Sequence, residues 1–317
     1  MKPLRIGSRG SKLALWQAEH IKDRLARECG IESSIVIIKT SGDNFQSAAV
    51  WQVSGAVGGK GIFIKEIEDA LLERRVDIAV HSLKDVPTET PRGLWIPAIT
   101  KREDPRDCLV SRGGDTIAKL PNGARVGTSS LRRQSQMRHF RPDLRVAELR
   151  GNVDTRIRKL EDGEFDAVLV AKAGLDRLGL TGKITEIISP EIMLPAVGQG
   201  ALAIEARDSE PDIRKALEKL NDAETRLAVT AERALLDELE GGCQVPLGAW
   251  ARCENSSLRL DACVLSADGA ECLRRSRSVD GRNLSDAESL GRHVARELLD
   301  AGADRLLRLA GRSVGEG

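Results

Sequence analysis

The feature that most constrains this chain is an alternation of short apolar runs with amphipathic helical stretches, clearest where Val76-Asp77-Ile78-Ala79-Val80 runs into His81-Ser82-Leu83-Lys84-Asp85-Val86-Pro87. The first five residues read as a buried strand, apolar on both sides of one acid. Pro87 lacks a donor N–H and keeps the exit irregular, so the polar run is expected as a loop. In open α/β sheets, ligands bind beyond the carboxyl ends of the strands. Asp85, beside Lys84 at such a place, is therefore a candidate catalytic carboxylate, its structural alternative being a turn residue.

The same grammar recurs along the chain. A strand over residues 4–7 leads through Ser8-Arg9-Gly10-Ser11 into a helix over 13–26, with Ala14, Leu15, Ala18, Ile21 and Leu25 on one face; a second strand covers 35–39. The small-residue stretch that follows, ending Gly55-Ala56-Val57-Gly58-Gly59-Lys60-Gly61, predicts a mobile surface loop before a helix over 64–74. Such alternation indicates a mostly parallel sheet. It restarts after Pro105: strands over 125–127, 145–149 and 166–171, with Thr128-Ser129-Ser130 capping a helix that begins Leu131-Arg132-Arg133, and Gly163 ending the helix that carries Arg156. Residues 194–200 are expected to return the chain to the first lobe through 201–205.

From about Asn221 the pattern changes to a long helix over 223–239, strands over 244–252, 258–265 and 271–279, an Asp268-Gly269 hairpin, and a Ser285-Asp286-Ala287-Glu288 capping box opening a helix that Gly302 closes. The expected fold is α/β in two lobes with a smaller α+β third domain. The boundaries are 1–100 with 201–220, then 101–200, then 221–317.

Length agrees, because 317 residues exceed what one growing core supports. Lys+Arg of 49 against Asp+Glu of 48 argue against a general polyanion-binding surface, so any basic site must be local. With no Tyr, four Trp and four Phe, there are few rings on which to stack bases, and no nucleic-acid partner is expected. No apolar targeting or membrane-spanning stretch is visible, and the expected setting is the cytoplasm with no membrane partner. The six cysteines form no C-x-x-C pair and have no His at zinc spacing, so neither a metal nor a disulfide framework is expected.

Arg9, Arg132, Arg133, Arg150, Arg156 and Arg177 each fall just beyond an expected strand or in the first turn of the next helix. Those places converge on one edge of a doubly wound sheet, so the arginines are expected to line a single crevice. Guanidinium forks and helix amino termini suit an anion with several carboxylates or phosphates. Gly59-Lys60 lacks the spacing of a phosphate loop and Gly198-Gln199-Gly200 lacks a third glycine, which favours a polycarboxylate. Cys243 directly follows a helix end whose dipole disfavours a thiolate, so a cysteine carrying a permanent group on a Gly-rich loop suits the place better than a free redox thiol.

Taken in order, these residues resemble the porphobilinogen deaminase (hydroxymethylbilane synthase) family over essentially the whole chain. The likeness is carried by Arg9 with Ala14-Leu15-Trp16-Gln17, Gly58-Gly59-Lys60-Gly61, His81-Ser82-Leu83-Lys84-Asp85-Val86-Pro87 and Arg102-Glu103-Asp104-Pro105-Arg106-Asp107. It continues through Gly127-Thr128-Ser129-Ser130-Leu131-Arg132-Arg133, Leu149-Arg150-Gly151-Asn152, residues 194–200 and Glu240-Gly241-Gly242-Cys243-Gln244-Val245-Pro246. One departure is a segment between Asp43 and Gly58 a few residues longer than the family pattern.

The resemblance implies two lobes like those of periplasmic binding proteins around a cleft, and a dipyrromethane cofactor held by a thioether at Cys243. It implies a monomeric transferase that links four porphobilinogen molecules head to tail, losing ammonia at each step, to give hydroxymethylbilane. Asp85 would be catalytic; Lys84, Ser130, Arg132 and Arg133 would bind the cofactor. Arg9, Ser11, Arg150, Arg156, Arg177 and Gln199 would bind substrate, with Lys60 and Phe63 from the loop. The rival expectations are a non-catalytic two-lobed binding protein for a small polycarboxylate, which leaves Lys84-Asp85 and Cys243 unexplained, and a phosphoryl-transfer enzyme, which lacks its phosphate loop.

Overall fold

The computed structural model describes residues 2–40, 64–239 and 245–313. It divides into two compact units, one of Met1–Glu103 with Gly200–Arg226 and one of Asp104–Gln199 with Leu227–Gly317.

The first unit is built on a five-stranded sheet whose strands are β1 (Leu4–Ser8), β2 (Ser33–Ile37), β3 (Ile78–Ser82), β4 (Leu94–Ile99) and β10 (Leu202–Arg207), in the order β2-β1-β3-β10-β4. Helices α1 (Lys12–Arg24) and α6 (Pro211–Glu218) press Ala18, Ile21, Ile213 and Leu217 against Ile6, Ile78, Val80 and Ile204. Helix α2 (Lys65–Leu72) presses Ile67, Ala70 and Leu71 against Val76, Ala79 and Leu94. Successive side chains of a strand alternate between faces, so a strand covered on both sides must be apolar at every position. The run at residues 76–80 meets that demand except at Asp77, which accepts from the Arg5 backbone and guanidinium at 2.9–3.0 Å.

The expectation of a mostly parallel sheet needs correction. β1 is parallel to β2 and β3, but β10 is antiparallel to both β3 and β4. The returning chain enters at the edge where β3 ends, with Leu202 paired to Ser82, and so must run the opposite way. β3 also extends two residues further than expected, because the polar residues there find partners on β10 and on helix α1. His81 Nε2 lies 3.0 Å from Glu205 Oε2, and Gln17 Nε2 donates to Ser82 Oγ at 2.9 Å.

The second unit holds two sheets. One has the order β7-β6-β8-β5-β9, from β5 (Asp107–Ser111), β6 (Arg125–Gly127), β7 (Arg145–Ala147), β8 (Ala167–Ala171) and β9 (Glu186–Ile187). β6 is parallel to β7 and β8, while β5 is antiparallel to β8 and β9. Helix α3 (Leu131–Phe140) covers one face through Met137; α4 (Val153–Glu161) and α5 (Lys172–Arg177) cover the other through Ile157, Leu160 and Leu175.

The other sheet is the antiparallel β11 (Leu247–Glu254), β12 (Ser257–Leu265) and β13 (Cys272–Asp280). Its inner face packs Ala249, Ala251, Leu260 and Ala262 on α7 (Ala223–Glu238), α8 (Leu284–Asp300) and α9 (Ala303–Ser313). Helix α8 is capped by Asn283, whose side chain accepts from the Asp286 N–H at 2.9 Å, and not by Ser285 as the capping-box pattern suggested. The two sheets are joined through α3: Arg138 donates to the Ala267 carbonyl at 2.7 Å and the His139 ring contacts the Gly269 carbonyl at 2.8 Å.

Helices α7 and α8 approach closely at Gly291, where a β-carbon would sit 2.2 Å from the Ala231 carbonyl oxygen and 2.8 Å from Ala234 Cβ. Backbone atoms cannot swing aside, so Gly291→Val is expected to lower unfolding free energy by about 3 kcal/mol or more, as a drop in the urea midpoint.

Candidate active site

In each of the two sandwiched sheets, pairing fixes which polar segments share an edge. In the first unit, β1 and β3 are parallel, so Ser8-Arg9 and the turn Leu83–Asp85 leave at the same end of the sheet. Ser11 caps α1 there, its hydroxyl accepting from the Ala14 N–H at 3.3 Å. The single turn of 3₁₀ helix places Leu83 in the core and leaves Asp85 exposed, with Lys84 half-buried between them. Below this turn lie three further titratable groups that sequence reasoning missed: His81, Glu205 and Glu68. Burial, then the charge of Glu205, pushes the Glu68 carboxyl up to about 7. A polar residue inside an apolar run was the only signal for His81.

In the second unit β5 runs against β8, with Asp107 paired to Ala171, so the start of β5 shares an edge with the carboxyl ends of β6, β7 and β8. Arg132, Arg133, Arg150 and Arg156 lie along this edge; Arg9 belongs to the other unit. Arg177 was expected at a helix start, but it closes the short helix α5, and it is buried.

Arg132 and Arg133, in the first turn of α3, are buried at 4% and 5% exposure around Asp107, which is fully buried. Arg132 Nη1 donates to Asp107 Oδ2 at 2.6 Å and to the Leu194 carbonyl at 2.8 Å. Arg133 donates Nε and Nη2 to Oδ1 at 3.0 and 2.7 Å, and Nη1 to the Leu169 carbonyl at 3.1 Å. Gln199 Nε2 adds a bond to Oδ1 at 2.9 Å and one to the Pro105 carbonyl at 2.6 Å. Burial alone would raise the Asp107 carboxyl, but the two guanidiniums outweigh it and hold it far below the usual carboxylate range.

The loop that carries Gln199 is itself fixed. Buried Glu232 accepts from the Gly198 and Ala251 N–H groups at 2.7 and 2.8 Å, and Gln136 Oε1 accepts from the Leu194 N–H at 2.8 Å.

Arg156 is placed differently. Its Nε donates to the Gly151 carbonyl at 2.8 Å and its Nη2 to Ser129 Oγ at 3.2 Å, and among the described residues no carboxylate meets it. Desolvation, then the like charge of Arg133, pushes its guanidinium down to about 10, so at neutral pH it stays charged and uncompensated. Arg150 Nε is engaged by Glu148 at 2.6 Å on the exposed side.

Ser130 occupies the N-cap position of α3, but its hydroxyl does not cap the helix; its own N–H donates to Thr128 Oγ1 at 3.2 Å. Lys60, Phe63 and Cys243 lie outside the described residues, as does most of the loop expected to be mobile. Among the described residues no group of three or more His, Cys, Asp or Glu side chains could hold a metal ion.

This edge can take carboxylates. Arg156 offers a positive charge that no described acid pairs, Ser129 orients it, and the amino end of α3 adds backbone donors. The acetate and propionate groups of a dipyrromethane fit such a donor set.

Comparison with known proteins gives the family. The family model described as "Porphobilinogen deaminase, dipyromethane cofactor binding domain" matches residues 4–215, and "Porphobilinogen deaminase, C-terminal domain" matches 226–300. A porphobilinogen deaminase of Syntrophobacter fumaroxidans is 50% identical over 305 residues, covering 96% of each chain. Among solved structures, a periplasmic substrate-binding protein of an ABC transporter from Coxiella burnetii is similar at 14% identity and a TM-score of 0.41, over 68% of this chain and 91% of that one. Immunogenic lipoprotein A from Vibrio vulnificus is similar at 12% identity and a TM-score of 0.42, over 68% and 94%. With both family models matched in order and half of all aligned residues identical across nearly the full length, this chain belongs to the porphobilinogen deaminase family.

Proposed function

We propose that the strand-end edge of the second unit, with Arg156 at its centre, holds the carboxylates of a pyrrole chain, and that Asp85 is the carboxylate that steadies positive charge on the reacting ring. As a hydroxymethylbilane synthase the chain is a transferase of tetrapyrrole and haem biosynthesis: it joins four porphobilinogen molecules head to tail with loss of ammonia and uses a dipyrromethane cofactor. That membership sets aside the non-catalytic binding protein and the phosphoryl-transfer enzyme.

Arg156 carries the site reading. A desolvated guanidinium beside a second one, with no acid in reach among the described residues, is costly until an anion arrives. A ligand carboxylate supplies the missing charge, which concentrates binding energy at that point. Ser129 and the Gly151 carbonyl hold the fork in place beforehand, so little ordering is left for the ligand to bring about. Arg150 and Arg177 reach substrate carboxylates further along the edge, and Arg9 and Ser11 serve from the first unit.

When bound, the cofactor supplies the covalent anchor for the growing chain. We assign its attachment to a thioether at Cys243, contacts to its carboxylates to Lys84, Ser130 and Arg132, and a supporting place behind them to Arg133, whose Nε, Nη1 and Nη2 are all engaged inside the protein. Ammonia leaving the aminomethyl group of porphobilinogen spreads positive charge onto the ring nitrogen. Asp85 placed at that nitrogen lowers the energy of the cation and later accepts the ring proton. Lys60, Phe63 and Gln199 would contact substrate. The reading extends to a cytoplasmic monomer. The free thiols of Cys29, Cys108, Cys253, Cys263 and Cys272 support the cytoplasmic setting.

Arg156→Leu tests the site. The variant is expected to fold and to show KM raised at least tenfold, with shifted ratios of covalent intermediates in intact-mass spectra, because removing one partner of a desolvated charged contact costs about 2–5 kcal/mol. Parent-like KM and parent-like ratios would remove Arg156 from the site.

A further inference from the structure

We infer that Asp107 is a positioning residue for the reaction: it clamps Arg132 and Arg133 so that one edge of the Arg132 fork is presented to ligand carboxylates. The inference rests on the anion-site reading above and assigns a function to an acid that touches neither substrate nor cofactor.

Three segments distant in sequence meet at this carboxylate. They are the first residue of β5, the first turn of α3 and the loop carrying Gln199. Both oxygens are used, Oδ2 by Arg132 and Oδ1 by Arg133 and Gln199, and the group is fully buried. A buried acid in this state is ionised and immobile, which is what an orienting group requires.

The two arginines are engaged unequally. Arg133 commits Nε, Nη1 and Nη2 inside the protein. Arg132 commits only Nη1, to Asp107 and the Leu194 carbonyl; among the described residues its Nε and Nη2 have no partner. The Nε/Nη2 side of a guanidinium is one that matches a carboxylate with two parallel bonds. Arg133 thus acts as a second strut on Asp107, and Arg132 keeps a bidentate face to offer.

Charge makes the same point. Without Asp107, Arg132, Arg133 and Arg156 would stand as three clustered positive charges with no acid among them from the described residues, and mutual repulsion would spread the forks before a ligand arrived. One fixed carboxylate offsets part of that repulsion and leaves the edge net positive, so it still attracts anions.

The test uses enzyme purified as it is made, and compares Asp107→Asn, Arg133→Gln, the double variant and Arg156→Leu. The readouts are the fraction carrying cofactor by intact mass, and kcat and KM at a temperature where circular dichroism shows every protein folded. Asp107→Asn is expected to lower the cofactor-bearing fraction at least fivefold and to raise KM at least tenfold in the loaded remainder, with kcat changed less than KM. Arg133→Gln should match it, and the double variant should be no more than about twofold worse than the worse single, because both changes break one unit. Parent-like loading and KM in Asp107→Asn, with Arg156→Leu impaired, would overturn the inference and leave the site reading standing; parent-like behaviour in both would sink both. Effects that multiply in the double variant would also overturn it. Should Asp107→Asn fail to fold, Arg133→Gln alone decides: loss of loading and raised KM support the strut, and parent values overturn it.

Discussion

Asp85→Asn is expected to leave the fold and a loaded cofactor in place while turnover falls by about a hundredfold or more. The change keeps size and shape and removes only the charge. Asp85 is exposed at the end of a 3₁₀ turn whose core contact is Leu83, so no packing is lost. On the proposed assignment, what is lost is a fixed negative charge where positive charge develops on the pyrrole nitrogen, and a preorganised electrostatic contact of this kind is worth ~3 kcal/mol. Both halves of its task depend on ionisation: the neutral amide neither balances the cation nor accepts the ring proton. The check is the rate of pyrrole consumption by a colour reagent alongside the intact mass of the purified protein. Near-normal turnover with normal loading would take Asp85 out of the reaction.

Cys243→Ser is expected to yield protein with the mass of the polypeptide alone and no measurable turnover. A thioether requires a sulfur nucleophile, and a serine hydroxyl at the same place has far too little anionic character at neutral pH to replace it. Four of the other cysteines make poor substitutes. Burial pushes the thiols of Cys108 and Cys263 up to about 12, and burial likewise raises those of Cys29 and Cys272. Intact-mass measurement before and after digestion locates the adduct. An adduct that survives in Cys243→Ser would move the anchor to another residue.

Much of the scaffold was legible because helices and doubly covered strands impose short-range patterns. The apolar run ending at Val80, the helical face of Ala18 and Ile21, and the polar segments at residues 8–11, 81–87 and 128–133 all follow from spacing within one element. Errors arose where a residue's neighbours are far away in sequence. His81 and Ser82 looked like loop because they are polar, yet Glu205 on β10 and Gln17 on α1 satisfy them. β4 and β5 passed unnoticed because short strands carrying Trp95, Pro97 or Asp107 give no clean alternation.

The arginine cluster shows the same division. Position after a strand was enough to mark Arg132, Arg133, Arg150 and Arg156 as lying at one end of a sheet. It could not rank them, since whether a guanidinium is already neutralised depends on which acid the rest of the chain delivers.

The sequence by itself determined the strand and helix grammar, the strand-end motifs and the family, because each is written in local spacing or in ordered motifs. It took the folded contacts to reveal that β10 and β5 run backwards in their sheets, that Asp107 occupies two arginines and that no described acid stands beside Arg156. Those facts concern contacts between segments tens of residues apart, and pairing at that distance is set by the packing of the folded chain, not by any period along it.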